Sequence, residues 1–194
     1  MREDLARVFR VSDTLVTCHS ILRDSFSRRA LLLDVLILIA SVWVTAMALV
    51  DVEIAKRISF PGVSPAITIG LIAIFTFVLS LIQLRVDWKS RADRHERAAR
   101  AYAASKLEIG SLENRENITN QEIEVVLTRY RLLGDSCIAI PDSQFNKLKK
   151  KHLIKVSISK EIGRHPGTSI WLIRAKLWLA DSVGLFRGGN REAS

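Results

Sequence analysis

The histidines are the side chains of this chain best suited to bind a metal, but their spacing does not support a site. His19, His95, His152 and His165 are never three or four residues apart, and no carboxylate cluster accompanies them. A metal site on one helix face needs ligands at that spacing. The sequence therefore predicts no metal site and no cofactor, and it favours a packed core position for His95.

A second chemical pattern, Ser-x-x-Lys, occurs at Ser157 and Lys160. In serine hydrolases this pattern acts together with further motifs that assemble the nucleophile and its base. Those motifs are missing, as are a phosphate-binding loop and a dinucleotide-binding glycine pattern. We interpret the match as coincidence and predict that the chain is not an enzyme.

A basic run offers a different chemistry, the binding of anions. Its members are Lys147, Lys149, Lys150 and Lys151. One interpretation is a solvated helix face near an anionic membrane. The other is a site for an anionic ligand, such as a nucleotide messenger or a phospholipid headgroup. The residues leave both open.

Two long apolar runs position everything else. Residues 30–50 and 65–86 each exceed twenty residues, and as helices each would span about 30 Å, the thickness of the hydrocarbon core of a bilayer. Only residues 51–64 separate them. The pair predicts a transmembrane hairpin with a short external loop.

The distribution of Lys and Arg predicts the orientation of this hairpin. Six arginines precede the first run. Arg85 lies at the end of the second run and five basic residues follow that run within fifteen positions, whereas the loop carries only Lys56 and Arg57. Positive residues stay on the cytoplasmic side. We therefore expect both termini on the cytoplasmic side of the membrane and the loop outside. The net charge of +9 then reflects contact with anionic lipid rather than with nucleic acid.

Each run carries one polar stripe at helical spacing. The stripe residues are Asp34, Ser41 and Thr45 on the first run and Thr76, Ser80 and Gln83 on the second. Such stripes either pack the hairpin or line a pore between copies. Because the hairpin reverses direction, Asp34 and Gln83 lie at similar depth, and we expect Arg85 to pair with Asp34.

The remaining segments all show helical periodicity. Residues 1–29 predict an amphipathic helix that lies on the membrane or packs on the cytoplasmic part. Residues 87–183 predict a cytoplasmic helical domain. It begins with a lever helix that continues the second span and is marked by Trp88, His95 and Tyr102. Residues 184–194 predict a flexible tail. The fold class is an all-α membrane protein: a two-helix hairpin, an N-terminal amphipathic helix and a cytoplasmic bundle.

Two segments carry a family resemblance. Residues 87–102, DWKSRADRHERAARAY, follow the second span, and residues 145–167 contain Leu148, His152, Lys155, Ser159, His165 and Pro166 as recognisable points. Together with the hairpin, they resemble the SLATT family, bacterial two-transmembrane effectors associated with SMODS and SLOG proteins.

The resemblance implies an oligomeric effector of antiphage or conflict systems that permeabilises the inner membrane. Its signal would come from a separate protein, a nucleotidyltransferase that makes a nucleotide messenger or a SLOG-type sensor. Two alternatives remain open, a membrane-anchored scaffold that recruits a cytoplasmic partner and a holin-like protein. The scaffold predicts that charge changes at residues 147–151 abolish function.

Overall fold

The structure, a computed structural model, describes residues 2–59, 62–115 and 117–188. Every regular element in these ranges is a helix, which confirms the all-α prediction. The chain divides into two compact units, the first ending at Ala139 and the second beginning at Ile140. The helices are α1 (Arg2–Leu49), α2 (Val52–Ile58), α3 (Pro65–Val86), α4 (Trp88–Glu113), α5 (Asn120–Ser136), α6 (Asp142–Arg164) and α7 (Ile170–Gly188).

Helix α1 packs antiparallel along α4 and α3. The order of the contacts shows the direction, because residues later in α1 meet residues earlier in α4 and α3: Asp13 with Lys106, His19 with His95, and Asp34 with Gln83. With 48 residues, α1 is about 72 Å long. A single helix therefore joins the N-terminal amphipathic segment to the first apolar run.

The contact between α1 and α4 follows a seven-residue repeat. Buried residues recur at this spacing along α1: Leu5, Ser12, His19, Leu33 and Met47. On α4 buried residues recur at the same spacing at His95, Tyr102 and Ile109. Seven-residue spacing keeps one seam facing the partner as two helices coil around each other. Small residues such as Ala92 and Ala99, also buried, let the backbones approach closely.

The N-terminal amphipathic segment is part of α1 and packs on α4, one of its two predicted locations. Leu5 is buried against Ile109 of α4 and Ile123 of α5, and partly buried Phe9 packs on the same cluster. The predicted boundary at residue 29 is not a break, because the helix runs through it to Leu49.

Two helical stretches are long and apolar enough to cross a membrane, α1 and the stretch from Pro65 to Glu113. In α1 only 17% of the most apolar 18-residue window is buried, and in the second stretch only 6%. A core helix of a soluble protein would bury most of such a window. Between the runs, the predicted loop contains the short helix α2, and Ser64 caps α3 ahead of Pro65.

Helices α3 and α4 are not continuous, which corrects the predicted lever. Asp87 separates them in the left-handed conformation, with φ 45°. Val86 and Trp88 are both half-buried, although two successive helical steps place them about 200° apart on a straight helix. The left-handed residue turns the chain so that the inner face of α3 and that of α4 can both pack on α1. The Asp87 carboxylate then accepts from the Ser90 amide and caps α4.

Two helix starts follow the usual sequence signals to different degrees. Thr119 and Glu122 have the spacing of a capping box and form one at the start of α5. Asp142 is of a residue type common at the N-cap, but Pro141 occupies the cap of α6 and Asp142 lies in the first turn. There its charge faces the positive end of the helix. Helix α7 extends beyond the predicted start of the tail to Gly188, and residues 189–194 lie outside the described residues.

A pair of glycine substitutions tests the close packing of α1 on α4. A Cβ at Gly110 of α4 would stand 3.1 Å from Cε2 of Phe9, whereas one at Gly134 of α5 would meet nothing within 4 Å. Alanine stabilises a helix interior by about 1 kcal/mol over glycine. We expect G134A to raise the free energy of unfolding by up to that amount. Since Phe9 must shift, G110A should gain less or lose stability. Equal gains in thermal unfolding would contradict the packing.

Candidate functional site

The candidate site lies where α3 ends, α4 begins and both face the middle of α1. Asp34 of α1 accepts a hydrogen bond from Nε2 of Gln83 on its Oδ1, at 2.5 Å. Its Oδ2 lies 2.8 Å from Nζ of Lys89. Gln83 belongs to α3 and Lys89 to α4, so the carboxylate connects α1 to both helices across the Asp87 break. We call these three residues the Asp34 clamp.

The expected pairing of Asp34 with Arg85 is wrong, since Lys89 makes the ion pair. Arg85 is exposed and follows Gln83 by two residues, which places it about 200° around α3. Asp34 and Gln83, for which the hairpin predicted a similar depth, lie side by side and share a hydrogen bond.

The clamp is open to its surroundings. The Asp34 side chain is 32% exposed and that of Lys89 is 66% exposed. Solvent therefore screens the ion pair, whereas the hydrogen bond from Gln83 is partly buried. A charge-assisted hydrogen bond in such a position contributes more to stability than an exposed ion pair.

A cavity of about 600 Å³ borders the clamp. Its walls combine apolar side chains of α1 and α3 with polar groups of the junction: Ala30, Leu33, Asp34, Ser80, Leu81, Gln83, Leu84, Asp87, Trp88 and Lys89. Trp88, the first residue of the predicted lever, thus contributes to the site. The carboxylates of Asp34 and Asp87 and the ammonium of Lys89 line this one cavity, so the clamp borders a space that water or an ion can fill.

The predicted polar stripe divides into two groups. Asp34, Thr76 and Gln83 are half-buried, whereas Ser41, Thr45 and Ser80 are exposed. Ser41 and Thr45 follow Asp34 by seven and eleven residues and so lie within about 20° of it around α1. Ser80 lines the same cavity as Asp34. The exposed hydroxyls therefore lie on one side of the α1–α3 pair, which we call the hydroxyl side.

The hydroxyl groups are bonded within their own helices. Thr45 donates to the carbonyl of Ser41 at 2.9 Å, and Ser80 donates to that of Thr76 at 2.9 Å. Thr76 likewise donates to the carbonyl of Ile72 at 2.7 Å. A hydroxyl bonded in this way can lie in an apolar surrounding and still accept a hydrogen bond from water or another side chain.

Sequence reasoning missed a second polar cluster, the histidine pair of α1 and α4. Nδ1 of His19 lies 2.9 Å from Nδ1 of His95, and each residue is at most 3% exposed. Because both atoms are nitrogens, one ring must donate its Nδ1 proton while the other accepts. Tyr102 stacks on His19 and Phe26 stacks on His95. The buried position of His95 was predicted, but its partner was not.

Burial controls the charge state of this pair. It lowers the pKa of His19 to about 4, and the neighbouring His95 adds to that shift. It lowers the pKa of His95 as well, with a further contribution from Arg94. Burial also raises the pKa of Tyr102 to about 12 and that of Cys18, so these neighbours are neutral near pH 7. The seam therefore holds two neutral imidazoles that charge only at acidic pH.

The lysines of the basic run are all exposed on α6, in the second unit. Ser157 is half-buried there and Lys160 is exposed. Within the described residues, no group of three or more His, Cys, Asp or Glu side chains is placed to hold a metal ion. Comparison of the chain with protein-family models, with curated proteins and with solved structures gives no match.

Proposed function

We propose that this chain is an oligomeric pore-forming effector of a bacterial antiphage or conflict system. It permeabilises the inner membrane on a signal from a separate nucleotidyltransferase or SLOG-type sensor. The observation that carries the pore is the hydroxyl side, one polar side on an otherwise apolar α1–α3 pair. The link to defence rests on the resemblance of residues 87–102 and 145–167 to the SLATT family.

Residues 30–50 and 65–86 cross the bilayer in this proposal, and both termini stay in the cytoplasm. Exposed apolar side chains support this location, among them Leu36 of α1 and Phe77 of α3, which are 52% and 64% exposed. Contiguous apolar surface of this kind favours lipid over water. The clamp then lies at the cytoplasmic end of the hairpin, with Lys89 just outside the hydrocarbon.

Association of several copies turns the hydroxyl side into a pore lining. Ser41, Thr45 and Ser80 face outward from one hairpin, where lipid tails offer no hydrogen bond. In a ring of hairpins the same side faces a shared axis, and each hydroxyl then accepts a hydrogen bond from water. Apolar residues on the opposite side of α1, such as Leu36, remain in contact with lipid.

The clamp gives this assembly a means of control. Helix α4 packs on the cytoplasmic part of α1, so a partner that shifts α4 along the seam also moves Lys89 against Asp34. Because the helix is interrupted at Asp87, α4 can make this movement without carrying α3 with it. In the proposed mechanism α4 is the lever, the Asp34 clamp is the latch, and its release lets the hairpin rearrange.

A triple substitution tests the pore. S41L/T45L/S80L removes the hydroxyls and should abolish leakage when the protein is expressed in bacteria and membrane potential is followed with a dye. If the leucines add only about 1.4 kcal/mol to the barrier for an ion in the pore, the ion flux already falls about tenfold. The matched control V42L/A46L/V78L adds bulk at three exposed positions of the same two helices that carry no hydroxyl group. This control should leak like the natural chain.

The outcomes separate the candidate functions. Intact membrane potential on expression of the activated system would exclude a pore. A leaking triple variant would show that the hydroxyl side does not line the path. A scaffold would tolerate leucine on the hydroxyl side and would lose function when Lys147, Lys149, Lys150 and Lys151 are replaced by glutamine.

A further inference from the structure

Helix α7 leaves most of its apolar surface uncovered. It packs on α6 through one narrow side, where Ile173 is 2% exposed and Leu177 is half-buried. Trp171 and Trp178, in contrast, are 78% and 68% exposed, and Leu172 is 66% exposed. Two tryptophans on one short helix seldom remain in water, because each carries a large apolar surface.

These exposed side chains form one continuous face. At 100° per residue, positions 171, 175, 178 and 182 lie together, and positions 172, 179 and 183 lie next to them. The face spans about 140° of the helix and ends at Arg174 on one side and Lys176 on the other. Arg174 is exposed, and Lys176 pairs with Glu161 of α6.

Helix α6 adds a basic and apolar groove beside this face. The groove, of about 310 Å³, is lined by Lys149, Lys150, Leu153 and Ile154 on α6 and by Leu177 and Asp181 on α7. Leu153 is 54% exposed and Ile154 is 37% exposed. Asp181 follows Trp178 by three residues, so the groove borders the tryptophan side of the α7 face.

We propose that the exposed face of α7, together with Lys149 and Lys150 of α6, binds the surface of an anionic lipid bilayer. Helix α7 lies in the interface, with its tryptophans at headgroup depth and its basic rim towards the phosphates. Tryptophan favours this depth because its ring is apolar and its N–H is polar. This surface is separate from the two spans, and its lipid binding does not depend on whether they form a pore.

Charge favours lipid over a second copy as the occupant. Residues 140–188 contain ten lysines and arginines against three acidic residues. Two such units would repel each other face to face, whereas anionic headgroups attract each basic residue near the surface. An apolar helical face with a basic rim is also the pattern of helices that lie in the membrane interface.

The test uses the full chain with only the two α7 tryptophans. The variant W43F/W88F, which retains Trp171 and Trp178, is reconstituted in vesicles of equal parts phosphatidylcholine and phosphatidylglycerol. Phospholipids brominated near the headgroup should quench the tryptophan emission at least about twofold, and acrylamide should quench it weakly. In pure phosphatidylcholine the quenching by brominated lipid should fall.

Two charge variants test the orientation. K149Q/K150Q removes the lysines of the groove and should lower the quenching by brominated lipid. K151Q/K155Q removes the same charge from the side of α6 away from the groove and should preserve it. Equal losses in both variants would make the proposed orientation wrong.

The quenchers also separate the other occupants. Strong quenching by acrylamide with none by brominated lipid would place the tryptophans in water and overturn the proposal. Protection from both quenchers would show that protein covers the face, a second copy included, and would overturn it as well. Because none of these readouts measures leakage, a failed pore leaves the result interpretable.

Discussion

Replacing Asp34 with leucine is expected to raise the resting leak of the reconstituted protein. Asp34 connects α1 to both α3 and α4, through Gln83 and Lys89. Loss of a partly buried hydrogen bond to a charged group costs about 2 kcal/mol, which corresponds to a roughly thirtyfold larger open population. The measurement is ion flux from proteoliposomes that contain the purified protein without partner or messenger.

Further variants of the same junction should differ in their leak according to how much of the clamp each one removes. D34N keeps an acceptor for Gln83 and loses only the screened ion pair, so its leak should rise by a few-fold. The exchange D34K/K89D restores an ion pair and should reverse part of the effect. The control D24N removes another carboxylate of α1 that pairs only with its neighbour Arg23, and its leak should stay unchanged.

The direction of the change decides between two roles for the clamp. A higher leak in D34L identifies a latch that holds the closed state. A lower leak would mean that Asp34 serves the open state, for example by attracting cations, and would contradict the latch. A double-mutant cycle between Asp34 and Gln83, measured by thermal unfolding, reports their coupling independently of any flux.

Periodicity predicted the helices well because most of their positions are decided by local pattern and burial. His95 of α4 is buried as expected, and Tyr102 and Ile109 are buried in the same phase. The capping box of α5 follows the spacing of Thr119 and Glu122. Asp142 shows the limit of such rules. It has the preferred type for an N-cap, but Pro141 takes the cap, so the helix starts one residue earlier than a cap at Asp142 would place it. Proline without an amide fits the first turn and competes for the same boundary.

The break at Asp87 was missed because each helix was assigned from its own pattern. Val86 and Trp88 are both apolar and suit one helix locally, but they cannot share one face of a straight helix. Only the requirement that α3 and α4 both pack on α1 makes the conflict visible. The same break explains why Lys89, and not Arg85, reaches Asp34.

The histidine pair was out of reach for spacing rules because its members are 76 residues apart. A signal was present in the sequence. His19 lies in the seven-residue phase of Leu5 and Leu33 on α1, and His95 lies in that of Ile109 on α4. Antiparallel pairing of two such seams brings buried positions together, so two histidines on seams are candidates for contact. For Asp34 and Gln83 the hairpin predicted a similar depth, but not the hydrogen bond between them.

Acidification from pH 7 to pH 5 is expected to weaken the α1–α4 seam by about 2 kcal/mol, or roughly thirtyfold in its opening. The pKa of His19 is about 4 in the folded seam and 6.5 in its ordinary state, so the open state binds the proton first. Stability is complete above pH 6.5, declines as the pH falls below it, and levels off near pH 4. His95, whose pKa is also lowered, shifts stability in the same direction.

The labelling rate of Cys18 measures this opening. Cys18 precedes His19 and is fully buried, and C137S leaves it as the single thiol of the chain. Dithiodipyridine, which reacts at acidic pH, should label the folded protein far more slowly than the unfolded protein at pH 7. The labelling ratio, which is the rate in the folded protein divided by the rate in the unfolded protein, corrects for the intrinsic effect of pH on the thiol. This ratio should rise about thirtyfold between pH 7 and pH 5.

Replacing the pair separates titration from packing. H19Q/H95Q removes both titrating rings and keeps polar side chains at the seam. Its labelling ratio should change little between pH 7 and pH 5, even if the seam is less stable than in the natural chain at every pH. H165Q removes an exposed histidine of similar chemistry and should retain the full pH dependence. Tyr102, whose pKa burial raises to about 12, stays neutral over this range. A ratio that stays flat in the natural chain would mean that the two buried rings do not limit the opening of α1 from α4.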